Sequence, residues 1–150
     1  MAIEPNAAIN QAVFEICPKV LSGSLKVSNA ADMQGFGYTP EPRDEEGDWV
    51  SQTVGEYAIK IGAKVGKPSC MVRFETQDSA AAYEVLLKQW LSRGYVFPDG
   101  RRKPAEPQFV MDTLANKKDN SSVGLISMFR MLMPGATTVA ISVFPGLGGK

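Results

Sequence analysis

Cys17 and Cys70 are the two side chains of this sequence that could form a covalent link, and not one histidine accompanies them in 150 residues. Without imidazole, Ser-His-Asp and Cys-His nucleophile pairs cannot be built, and zinc sites that use His are excluded. The group best suited to proton transfer at neutral pH is missing as well. No Cys-x-x-Cys pair marks redox catalysis. Chemistry is left to carboxylates, Tyr, Lys and Arg, and no motif assembles them into a catalytic set or implies a cofactor.

The remaining candidates are local. Gly62-Ala63-Lys64-Val65-Gly66-Lys67-Pro68-Ser69 looks like a phosphate-binding loop, but it is one residue short and Pro68 stands where Ser or Thr belongs. A strand is expected after it, so no helix N-terminus would converge amides on a phosphate. Glu41, Asp44, Glu45, Glu46 and Asp48 offer oxygens to a hard cation without the spacing of a calcium loop, and read as a solvated acidic loop. Arg101, Arg102 and Lys103, flanked by Tyr95 and Phe97, offer charge and stacking to phosphate or RNA. Lys+Arg and Asp+Glu both number 16, however, so no net field draws the chain onto nucleic acid. Trp49, Tyr57, Phe74 and Tyr83 could line a ligand cavity beneath a helix, with ordinary core packing as the competing reading. Phe36, Tyr38, Trp49, Tyr57, Arg101 and Arg102 form the candidate binding set.

Positioning these residues requires elements. Ile9, Ala12, Val13, Ile16 and Val20 recur at helical spacing, which predicts a helix from Asn6, as its cap, to about Leu21, with Gly23 as the stop. Pro18 is expected to kink or end it. A helical turn over Ser28 to Met33 precedes an irregular, exposed stretch from Gly35 to Asp48, rich in Gly, Pro and acid. Trp49 to Val65 and Cys70 to Glu75 alternate as an antiparallel hairpin. Asp78 caps a helix to Arg93, closed by Gly94. Gln108 to Leu114, Val123 to Leu132 and Thr137 to Phe144 read as three further strands, with Met128, Phe129, Met131 and Met133 as sheet core. The tail from Gly146 to Lys150 is expected to fray.

These elements predict one α+β domain over residues 1–150: a single antiparallel sheet of about five strands in ββαβββ order, an added N-terminal helix, and the helices packed on one face. That order is shared with profilin-like and PAS-like domains, whose topology hosts unrelated functions. Cys17, near the end of a packed helix, and Cys70, at the start of a strand, would sit where such geometry often allows a disulfide. Two buried free thiols are the alternative.

A helix ending in Phe14-Glu15-Ile16-Cys17, the step Gly35-Phe36-Gly37-Tyr38, Trp49, and Cys70-Met71-Val72 opening a strand together resemble small exported bacterial proteins of uncharacterised function. The resemblance covers the first half of the chain. It implies a Cys17–Cys70 bond and an oxidising compartment, and no activity. No segment reaches the roughly 20 apolar residues of a membrane span, and Met1 to Asn6 lacks the basic start of a leader. A periplasmic or secreted location is expected, with a cytoplasmic one as the alternative. The functional expectation is a non-enzymatic binding or interaction domain acting on another protein or a small ligand. A His-free enzyme using carboxylate, Tyr or Arg, or a cytosolic adaptor, is the alternative.

Overall fold

The computed structural model describes residues 4–65, 69–116 and 122–146. The chain is α+β, and its sheet is larger than expected. Seven antiparallel strands replace five: β1 (Thr39–Asp44), β2 (Gly47–Val54), β3 (Tyr57–Ala63), β4 (Cys70–Glu75), β5 (Phe109–Ala115), β6 (Val123–Met131) and β7 (Thr138–Pro145), in the order β1-β2-β3-β4-β7-β6-β5. Two meanders meet where β4 pairs with β7. The ββαβββ order, and with it the profilin-like or PAS-like topology, gives way to ββββαβββ.

Both extra strands have local causes. The single run expected from Trp49 to Val65 is folded back at Gly55, whose φ of +58° opens a two-residue turn between paired Val54 and Tyr57. A glycine at the first central position is what such a hairpin requires. The stretch from Gly35 to Asp48 is not wholly irregular, because Thr39 to Asp44 forms β1 at the sheet edge. Proline disfavours a central strand but is accepted at an edge, so composition alone reads this segment as loop. The expected turns at 66–68 and 117–120 and the tail at 147–150 lie outside the described residues, as do Met1 to Ile3.

The N-terminal helix runs through Pro18 instead of ending before it, as α1 (Pro5–Gln11), a π turn (Ala12–Ile16) and α2 (Cys17–Ser22). The Cys17 N–H bonds back to Ala12, five residues away. The wider turn accommodates a ring that would otherwise strike the carbonyl four residues before it. Asn6 is not the cap; Glu4 is, with Pro5 in the first turn, and the Asn6 side chain accepts from the Tyr57 hydroxyl at 2.9 Å. α3 (Ala30–Gln34) is capped by Asn29, and α4 (Ser79–Ser92) by Asp78 as expected.

The pleat sorts the sheet into two faces. Val50, Ile59, Ile61, Val72, Phe74, Ile141, Ile126, Met128, Val110 and Leu114 belong to one buried cluster with Ile9, Val13, Ile16, Leu86 and Trp90 of the helices. Asn10 ties the first helix to α4, accepting from Trp90 Nε1 and donating to Gln89 Oε1, both at 2.8 Å. A Cys17–Cys70 disulfide, with Cα atoms 5.5 Å apart, joins α2 to β4 across this core. Closing a loop of 53 positions stabilises the fold by about 4 kcal/mol if the effect is on unfolded-chain entropy. Among the described residues no helix is long and apolar enough to cross a membrane.

Candidate functional site

The face turned away from the helices carries the other half of every strand. Cross-strand pairing sets its rows: Thr113, Ser127, Ser142, Met71, Gly62 and Trp49 run across the sheet, and Met111, Phe129, Ala140, Arg73, Lys60 and Ser51 lie beside them. The two ends of these rows differ in chemistry.

At the β1–β4 end the face is closed and charged. Trp49 lies flat on Gly62, where a Cβ would come within 2.6 Å of the indole ring. Its Nε1 donates to Asp44 Oδ1 at 2.9 Å, and the Arg73 guanidinium covers it at 4.9 Å. Asp44 also accepts from the N–H groups of Glu46 and Gly47. Desolvation alone would raise its pKa; the Trp49 bond, the two amides and Arg73 outweigh that and hold it below the usual carboxylate value. Arg43 pairs with Asp48, Arg73 with Glu46 and Lys60 with Glu41. Glu41, Asp44, Glu46 and Asp48 are thus engaged within the β1–β4 half of the sheet, and among the described residues no three His, Cys, Asp or Glu side chains converge on a metal position.

At the β5–β6 end the face is apolar. Phe109 stands opposite Met131, Met111 opposite Phe129, and Leu125 opposite Phe144. Met111 and Phe144 are each 45 % exposed. The methionine cluster expected as core is therefore divided: Met128 is buried on the helix side, while Phe129 and Met131 belong to the open side and Met133 is exposed. The physical reason is strand period, because adjacent residues must point to opposite faces.

A cleft of about 390 Å³ borders this apolar corner, between β5 and the loop that follows α4, with Phe97, Arg101, Lys103, Phe109, Met111 and Thr113 in its walls. Arg102 fixes that loop. Its Nε and Nη2 donate to the two oxygens of Asp112 at 2.9 and 3.0 Å, and Nη1 and Nη2 donate to Glu84 at 2.8 Å each. Asp112 is 3 % exposed and also accepts from the Tyr83 hydroxyl at 2.7 Å, which lies 2.9 Å from the Met128 carbonyl. Burial, then the Asp112 bond, raises the Tyr83 pKa far above its ordinary value. The Arg102 bond lowers that of Glu84, and the Glu84 bond raises that of Arg102. Each carboxylate in the group is bound by Arg102, so the cluster anchors a loop.

The candidate residues named from sequence are scattered among these regions. Arg101 lines the cleft, while Arg102 is spent on Asp112 and Glu84. Trp49 lies on the open face. Tyr57 stacks on Phe74 at 5.1 Å on the helix side, where Tyr83 is also buried, so these four aromatics do not share a cavity. Tyr38 is 1 % exposed core and Phe36 is half-buried beside it. The Glu84–Arg102–Asp112–Tyr83 group carries no sequence signal, because its members come from a helix, a loop and a strand. The apolar corner did carry one: Phe109-Val110-Met111 in β5 and Met128-Phe129 in β6 place apolar residues on both alternations, where a strand covered on one face alternates with polar ones.

Comparison with protein-family models, with curated proteins and with solved structures finds no match to this chain.

Proposed function

We propose that this chain is a non-enzymatic protein-binding domain of the cell envelope or extracellular space, which holds its partner at the β5–β6 corner of the open face. The observation that carries the reading is the apolar corner itself. Phe109, Met111, Phe129 and Met131 form a patch, with Leu125 and Phe144 beyond the Thr113–Ser127–Ser142 row, on a side of the sheet that no helix covers among the described residues. An exposed apolar patch such as that of Phe109, Met111, Phe129 and Met131, bordered by the polar Thr113–Ser127–Ser142 row, is the kind that marks an interaction site. The disulfide supports the compartment, since such bonds persist where thiols are not kept reduced. The saturated Arg102 group supports a binding role over carboxylate or Tyr chemistry, because its acceptors are already engaged.

Site-specific photo-crosslinking in the native cells tests this. A benzophenone side chain at Phe129 or Met111 is expected to give a discrete adduct with another protein, and one at Thr53, on the polar half of the same face, none. Equal yields at all three positions would remove the reading. Thiol titration of protein taken from its native compartment should find no free thiol until reductant is added. Two free thiols there would sink the assignment to an oxidising compartment.

A further inference from the structure

β5 ends the sheet, and its outer edge is only partly occupied. Ala115 and Val96 exchange both backbone hydrogen bonds, at 2.8 and 2.9 Å. In an antiparallel ladder Ala115 is then not bonded to β6, and Val110, Asp112 and Leu114 carry the β6 bonds. Two further bonds fix the same phase at both ends of the strand, from Asn116 N–H to Gly124 and from Leu132 N–H to Gln108. Alternation therefore turns the N–H and C=O of Phe109, Met111 and Thr113 outward. The Phe109 carbonyl accepts from Glu106 N–H at 2.9 Å. The outward groups of Met111 and Thr113 have no backbone partner among the described residues, and both residues line the cleft.

From this edge we infer that the cleft accepts an extended segment of another protein, which joins the sheet as an added strand beside β5. The inference rests on the protein-binding reading above and specifies its mode. Donor and acceptor pairs two residues apart repeat about every 7 Å, and an extended polypeptide backbone presents that repeat. The window is short. Val96 closes it at Ala115 and Glu106 closes it at Phe109, leaving room for about four residues at strand rise. Every second side chain of the segment extends a row of the open face, beside Phe109 and Met131 or beside Met111 and Phe129. Apolar residues at alternate positions are selected there. Arg101 and Lys103 stand with Asp99 and Glu106 around the cleft, so both signs are present and charge does not choose the segment. A second copy pairing β5 to β5 would bring its own cleft loop against this one, whereas a lone strand fits between loop and edge.

The test uses the oxidised full chain and a random-peptide display library. Recovered peptides are expected to carry apolar residues at i and i+2. N-methylation of a synthetic recovered peptide should weaken binding at least tenfold at alternate positions and little at those between. On adding that peptide, the Met111 and Thr113 amides should exchange at least tenfold more slowly, while those of Val110, Asp112 and Leu114 are slow from the start. Met111→Pro removes an outward N–H and no ladder bond, so it should cost at least tenfold in affinity with the melting temperature nearly unchanged. If Met111→Pro fails to fold, the N-methyl series on the wild-type chain decides alone. Binding that ignores N-methylation but is lost in Phe129→Glu overturns the added strand and leaves the protein-binding surface standing. Binding indifferent to both overturns the two together. A library that yields no peptide, or a dimer that protects the Met111 amide without peptide, also overturns the added strand.

Discussion

Strands β1 and β5 both end the sheet, yet Thr39-Pro40-Glu41-Pro42-Arg43-Asp44 and Phe109-Val110-Met111-Asp112-Thr113-Leu114-Ala115 offer a passing chain different things. The two-residue turn at Gly55 closes on the hydrogen-bonded pair Val54–Tyr57. Alternation then gives Ser51 and Trp49 to Thr39 and Glu41, so Pro40 points a missing N–H outward. Prolines and charges are the usual means of keeping an edge from pairing with other chains. β5 has neither on its outward positions, and a bridge at one end and a turn at the other leave its middle open. One edge is guarded and the other is kept available. The difference between them is chemical, since both strands are held in the same antiparallel register.

The largest effect expected at either edge comes from Arg102. Arg102→Ala leaves Asp112 buried without its cation and frees the loop that walls the cleft. Removing one partner of a buried pair costs roughly 3–5 kcal/mol, and urea denaturation should read a loss of that size. Arg43→Ala, at the guarded edge, breaks an ion pair with 60 % of the arginine side chain exposed. It should cost under about 1 kcal/mol. Equal losses would mean that β5 is not held open by its loop.

Next in size is a contrast within the open face. Gly62→Ala drives a methyl into the indole of Trp49 and should cost about 1–3 kcal/mol as overpacking. Phe129→Thr, on the apolar half, gives up a half-buried ring and should cost no more than about 1.5 kcal/mol, while removing the photo-crosslinked partner. A larger loss at Phe129 than at Gly62 would make the apolar corner a structural surface.

Much of this was legible from residue types and spacing. The stripe of the N-terminal helix, the alternation in β4 and the caps at Asp78 and Gly94 follow from local rules, since each depends on neighbours a few residues away; the Cys17–Cys70 bond spans 53 positions and is legible only as one of two readings of a helix end near a strand start. β1 was not legible because proline argues against a strand unless the strand is an edge, and edge position is a property of the whole sheet. The turn at Gly55 is hidden in the sequence because the apolar alternation on either side of it reads through. Arg102 was seen as a basic residue in a loop; its two acceptors lie 18 and 10 positions away in the chain, on elements whose proximity no spacing announces. The facing of the apolar corner is hidden for a related reason. Met128, Phe129 and Met131 look equally suited to a core, and which of them face helices depends on there being helices on one side only.

Pro40→Val tests the guard directly. It restores an outward N–H on β1 with little change in folding stability, within about 1 kcal/mol. The consequence should appear in association: sedimentation at rising concentration is expected to show more self-association than the wild-type chain does. A variant that associates no more than the wild type would show that charge alone blunts this edge.

The smallest effect lies in acid. Glu84 beside Arg102, and Asp44 beneath Trp49, both have pKa values held below 4.5 and 3.8 respectively. A depressed carboxylate contributes stability that is present above its unfolded pKa and is lost as pH falls through the folded one. The denaturation midpoint should therefore fall as pH drops below about 4.5, the ordinary glutamate value of the unfolded chain. The two sites should respond differently to amide substitution. Asp44→Asn keeps an oxygen that accepts from Trp49 and both amides, so little stability is lost at neutral pH. Glu84→Gln turns one of its two Arg102 contacts into a donor facing a donor, and costs more, up to about 1 kcal/mol for a half-exposed pair. Both variants should flatten the acid limb. If Asp44→Asn instead costs more at pH 7 than Glu84→Gln, the hairpin at the guarded edge depends on charge where the geometry indicates hydrogen bonds.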